Sequence, residues 1–110
     1  MSITVNIYYT GENGNAHKFA EEMESSGTAG LIRGENGNLR YEYFMPIKDT
    51  DTVLLIDSWT DHAAIDRHHA SPMMETIKAL REKYDLHMRV ERYVSDEGGF
   101  PDTDKEFIRD

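Results

Sequence analysis

Apolar residues change their spacing along this chain in a way that fixes the order of its elements. Ile3, Val5, Ile7 and Tyr9 recur at every second position, with Thr4, Asn6 and Tyr8 between them, which is the period of a strand lying on a core. After a polar turn holding Gly11 and Gly14, Ala16, Phe19, Ala20 and Met23 recur at helical spacing and leave Lys18, Glu21, Glu22 and Glu24 to solvent. Asn15 is the expected cap of this helix and Gly27 its stop. Leu39, Tyr41 and Tyr43 then alternate with Arg40, Glu42 and Phe44, and Pro46 with the polar residues after it turns the chain into the apolar run Val53–Ile56, so these two strands form a hairpin.

The helical period returns downstream. Thr60 or Asp61 caps a short helix through Arg67, and Ser71 as cap with Pro72 at the first helical position starts a longer one, since that position leaves its amide unpaired in any case. Met73, Ile77, Leu80 and Tyr84 are its expected buried stripe, and Leu86, Met88 and Val90 alternate with His87, Arg89 and Glu91 in a last strand. The order β-α-β-β-α-β predicts an α+β, ferredoxin-like sandwich with helices on one face of an antiparallel sheet. A chain of 110 residues has no second layer for the other sheet face, so an exposed apolar face implies association with another copy.

Residues 1–95 are expected to form this domain and residues 96–110 an acidic tail with six acids against two bases. Phe100, Phe107 and Ile108 in the tail suggest docking on a surface, the partner subunit among them. With 21 acids against 12 bases the net charge is −9, which repels phosphate backbones and anionic headgroups, so neither nucleic acid nor membrane is expected as a partner. The absence of cysteine removes disulfide and thiolate chemistry and fits a reducing cytoplasm. No apolar run approaches the length of a membrane span, and Met1–Asn6 lacks the pattern of a signal segment.

His68 is the leading candidate for chemistry, because an imidazole facing a pocket can take a proton from an acidic hydroxyl near neutral pH. Trp59, the only tryptophan, ends the third strand and offers a flat wall with an N–H able to donate to a substrate oxygen. Asn6 would steady an oxyanion if its side of the first strand faces the helices. Tyr41, Met73, Met74 and Ile77 are candidate substrate-binding lining, the methionines suiting varied aromatics. His69 is expected to be exposed. His62 with Asp66 supplies only two ligands and the His68–His69 pair diverges on a helix, so no metal site is expected. The glycines fit turns and form no phosphate cradle, so no cofactor is expected.

The stretch from Trp59 to His68, nine residues apart, followed by Ser71 and Pro72, resembles the signature of the antibiotic biosynthesis monooxygenase family. Glu35, Gly37 and Tyr41 resemble that family's Glu-x-Gly-x-x-x-Tyr turn and strand, and Val53–Trp59 its third strand, so the likeness spans about residues 3 to 95. One departure is Asp57, where the family usually has the longer glutamate. The resemblance implies a homodimeric α+β barrel and a cofactor-independent monooxygenase acting with dioxygen on a small hydroxylated aromatic, a quinol or anthrone. In it His68 would be the base, Trp59 would position the ring and Asn6 would steady the anion. Heme degradation is disfavoured, since His68 and Ile77-Lys78 stand where that branch needs a tryptophan and an axial histidine. Two alternatives stay open: an isomerase of a sugar-like metabolite using the same pocket, and a non-catalytic dimeric binding or stress module.

Overall fold

The computed structural model describes residues 1–109. Four antiparallel strands, β1 (Ile3–Thr10), β2 (Asn38–Phe44), β3 (Thr52–Trp59) and β4 (His87–Val94), form one sheet in the order β2-β3-β1-β4. The first and third strands take the centre because they carry the densest apolar alternation, while β2 and β4 at the edges carry more charge. Helices α1 (Asn15–Ser25), α2 (Thr28–Arg33), α3 (His62–His69) and α4 (Met73–Lys83) complete the ferredoxin-like α+β fold, and a short α5 (Asp102–Lys105) lies in the tail.

The core lies between the helices and one sheet face. Ile3, Tyr9, Tyr41, Val53, Leu55 and Trp59 from the strands meet Phe19, Met23, Ile32, Ile65, Ile77 and Leu80 from the helices. Phe19 packs its ring 4.8 Å from that of Tyr9 and edge-on to Tyr43, which seats α1 on the sheet. On the other face Asn6 pairs across the ladder with Ile56 and Glu91, and its neighbours Tyr8, Leu54 and Ile56 are only half-buried.

Several local expectations change. Asn15 is the first helical residue of α1, not its cap, and its Nδ2 donates to the Tyr84 carbonyl at 3.2 Å, tying α1 to the end of α4. Gly27, in the left-handed region, ends α1, but the chain re-enters a helix at once in α2, whose Ala29 and Ile32 are buried; six residues are too few to show a period. Asp61 caps α3 by accepting from the Ala64 amide at 2.9 Å. Ser71 does not cap α4: Pro72 holds that place, and the buried Ser71 Oγ makes no hydrogen bond among the described residues. In the tail Phe100 and Phe107 stand exposed and dock on no surface of their own chain, and Asp110 lies outside the described residues.

Candidate active site

Between the helices and the core face of the sheet lies a cavity of about 260 Å³. Its walls come from strand alternation: Val5, Ile7 and Tyr9 of β1, Leu55, Asp57 and Trp59 of β3, and Tyr41 of β2. The roof is supplied by α3 and α4, with Ile65, His68, His69, Met74, Ile77 and Arg81, and Met88, Val90 and Arg92 of β4 border it. Val90 is about half exposed, so the β4 side is the open one.

His68 is nearly fully buried and stacks on the Trp59 indole, ring centroids 4.7 Å apart and planes 28° from parallel. Its Nδ1–H donates to Glu35 Oε1 at 2.8 Å. A carboxylate accepts only, so this bond places the neutral ring's proton on Nδ1 and leaves Nε2 with the lone pair. Glu35 arrives through the turn before β2, where Gly37 holds φ at +91° and its carbonyl accepts from the Thr60 amide at 2.8 Å. A Cβ at Gly37 would lie 2.6 Å from the Ala64 Cβ, so only glycine lets this turn close against α3.

Asp57, two residues before Trp59 on the same face of β3, accepts from Trp59 Nε1 at the indole edge at 2.6 Å. Burial pushes its carboxyl up to about 6; the His68 charge and the Trp59 hydrogen bond pull against the rise, and Glu35 adds to it. Burial also raises the Tyr9 and Tyr41 hydroxyls, so both stay neutral through the physiological range. His69, at the cavity rim, is lowered by burial and by the neighbouring His68 charge. Among the described residues no three His, Cys, Asp or Glu side chains gather into a metal-holding group.

The model of the antibiotic biosynthesis monooxygenase family matches residues 2–80. The chain belongs to the antibiotic biosynthesis monooxygenase family. Solved structures share the fold of this family member at low identity. SnoaB, a cofactor-independent oxygenase from Streptomyces nogalater, is 18% identical over 87% of this chain and 94% of its own, with a TM-score of 0.72. Rv0793 from Mycobacterium tuberculosis is 15% identical over 91% and 100%, with a TM-score of 0.74. A conserved protein of unknown function from Bacteroides thetaiotaomicron is 15% identical over 84% and 95%, with a TM-score of 0.73. No curated protein sequence matches the chain significantly.

In this family member the cavity gathers His68, Trp59, Tyr41, Met74 and Ile77. Met73 does not line it; one position back on α4, it packs against the core instead. Asn6 lies on the opposite face of the sheet, because in β1 only Val5, Ile7 and Tyr9 point to the helices, and its amide cannot reach a substrate beside His68. The Trp59 N–H is taken by Asp57, so the indole offers its face and not a hydrogen bond. Sequence reasoning noted Glu35 and Asp57 only as matches or departures in spacing; Glu35 reaches His68 across 33 residues of chain, which no local period reveals, whereas Asp57 and Trp59 share a strand face at i and i+2, a local pairing that the alternation of β3 already contained. Arg81 and Arg92 carried no signal in the sequence beyond ordinary surface charge.

Proposed function

We propose that this protein is a cofactor-independent monooxygenase that acts on a small hydroxylated aromatic of the quinol or anthrone type. The observation that carries the reading is His68, buried on Trp59 with Nδ1 held by Glu35, so that Nε2 is a fixed base at a cavity wide enough for an aromatic ring. An apolar cavity of about 150 Å³ accepts benzene, so about 260 Å³ leaves room for ring substituents.

In this reading His68 Nε2 takes the proton of a ring hydroxyl, and the electron-rich anion passes one electron to dioxygen. The radical pair joins by a carbon–oxygen bond, giving a ring-bound peroxide. The peroxide O–O bond then breaks with loss of water, leaving one oxygen atom on carbon as a carbonyl: quinol and dioxygen give hydroxyquinone and water. Both protons of that water come from the substrate, one passing through His68. Glu35 stabilises the imidazolium that forms between these steps, and the apolar lining keeps bulk water from the anion. The family membership and the SnoaB likeness in fold support this reading.

His68→Ala is expected to lower quinol-dependent oxygen consumption by about a hundredfold or more, since a positioned base contributes ~10² to 10⁴. Because the ring is buried on Trp59, its loss also lowers the melting temperature, so His68→Gln, which keeps more of the packing, should lose activity alike while remaining folded. His69→Ala, at the rim, should change it little. Full activity in the His68 variant would overturn the mechanism. A second reading, isomerisation of a small hydroxycarbonyl metabolite, is favoured by Asp57, whose carboxyl near 6 beside His68 suits proton transfer between adjacent carbons. Turnover without oxygen uptake would select it.

A further inference from the structure

Two arginines border the open side of the cavity, and among the described residues neither is paired with a carboxylate. Arg81, in the last turn of α4, donates from Nη1 to the Met88 thioether at 3.0 Å. Arg92, on β4, donates from Nη2 to His62 Nδ1 at 3.0 Å. Both partners are weak or neutral acceptors, and among the described residues no carboxylate pairs with either guanidinium. Away from the cavity, Arg33, Arg40 and Arg89 each hold a glutamate, while Arg67 stands exposed on α3 with no carboxylate partner among the described residues. In a chain with 21 acids, carboxylates are abundant, so two unpaired guanidinium groups at one cavity are a chemical statement about what enters it. A cation in a last helical turn also complements the helix dipole, which accounts for Arg81 in part; Arg92, on a strand, has no such reason.

The ladder separates the two. Arg92 faces Asp57 across Val5, at the His68 end of the cavity. Arg81 is bonded to Met88, which pairs with Tyr9, at the other end. Arg92 is exposed and Arg81 half-buried, so water solvates both while the cavity is empty; a neutral aromatic entering it would leave them with no charged partner in place of that water. An aromatic that ionises at one end and carries an acid at the other would satisfy each.

Building on the oxygenase reading of the same cavity, we propose that the substrate is a hydroxylated aromatic acid, with its reacting hydroxyl between His68 and Arg92 and its carboxylate on Arg81. A planar guanidinium can hold a carboxylate by two parallel N–H bonds, a geometry that lysine or a neutral donor does not supply. The oxyanion role expected of Asn6 then falls to Arg92, on the side of the sheet that the substrate occupies.

The test is anaerobic calorimetry with three probes of like shape: hydroquinone, 2,5-dihydroxybenzoate and its methyl ester. Each is titrated into the full chain and into Arg81→Gln, Arg92→Gln and the charge control Arg67→Gln on the exposed face of α3. The acid should bind the parent and Arg67→Gln about tenfold to a hundredfold more tightly than the other two probes, as for a bond between charged groups. Arg81→Gln should erase that preference, and Arg81→Lys should restore part of it, which separates lost charge from lost folding. Equal binding of the three probes, no binding of any, or a preference that survives Arg81→Gln would each overturn the proposal. Oxygen uptake is then measured separately. Preferential binding of the acid without uptake would refute the oxygenase reading alone, and equal binding with uptake would refute the acid specificity alone.

Discussion

Asp57 lies between an indole that donates to it and an imidazole whose charge opposes its protonation, yet burial still lifts its carboxyl to about 6. An acid whose folded value is raised above the ordinary 3.8 contributes stability that is complete below about pH 4 and is lost as pH rises through 6. Asp57→Asn keeps an oxygen for Trp59 Nε1 but removes the ionisation. The variant should therefore gain on the parent between pH 4 and pH 7 by up to ~3 kcal/mol, read from denaturant unfolding at each pH; a constant difference would show that the carboxyl is not raised. Glu35 has the complementary task of fixing the His68 tautomer. In Glu35→Leu the nitrogen spectrum of His68 should change from one tautomer to a mixture, and turnover should fall by about a hundredfold as the base loses its orientation. A single tautomer retained in that variant would show that packing on Trp59 alone holds the ring.

At the scale of elements, the site depends on two short joints. Gly37 brings the turn before β2 against α3, and the same turn carries Glu35 to His68. Gly37→Ala meets both a left-handed backbone and the Ala64 Cβ, so it should destabilise by about 2–4 kcal/mol and lower activity through Glu35; an unchanged denaturation midpoint would contradict the turn's role. The second joint, between α3 and α4, sets which methionine lines the cavity. Beyond Pro72, the side chains of Met74 and Ile77, three apart on one face of α4, line the cavity, while Met73, also half-buried against the core, lies outside it.

For the whole molecule, assembly turns on the sheet face opposite the helices. Half-buried Tyr8, Leu54 and Ile56 cross its centre, Tyr93 is half exposed at β4, and the buried Asn6 Oδ1 makes no hydrogen bond among the described residues. We propose that a second copy covers this face, giving the barrel that the family resemblance implies. Sedimentation at micromolar concentration should show a dimer, and Ile56→Asp, which buries a charge at its centre, should give a monomer. A monomeric parent protein would overturn the barrel. Among the described residues no helix is long and apolar enough to cross a membrane.

The sequence by itself determined the element order and the faces of each strand, because periods of two and of 3.6 are set by local backbone geometry and survive in any context. It was enough to join His68 to Trp59, since both lie on one strand–helix connection. Only the tertiary structure decided what touches them. That Glu35 orients His68 depends on a turn that closes across 33 residues of chain, and that Asn6 faces away from the cavity depends on which sheet face the helices cover. Alternation says that Asn6 and Val5 point oppositely; the packing of helices on the Val5 side says which of them meets the substrate. Arg81 and Arg92 are the extreme case, for a guanidinium carries no periodic signal and its role is set entirely by the cavity it borders.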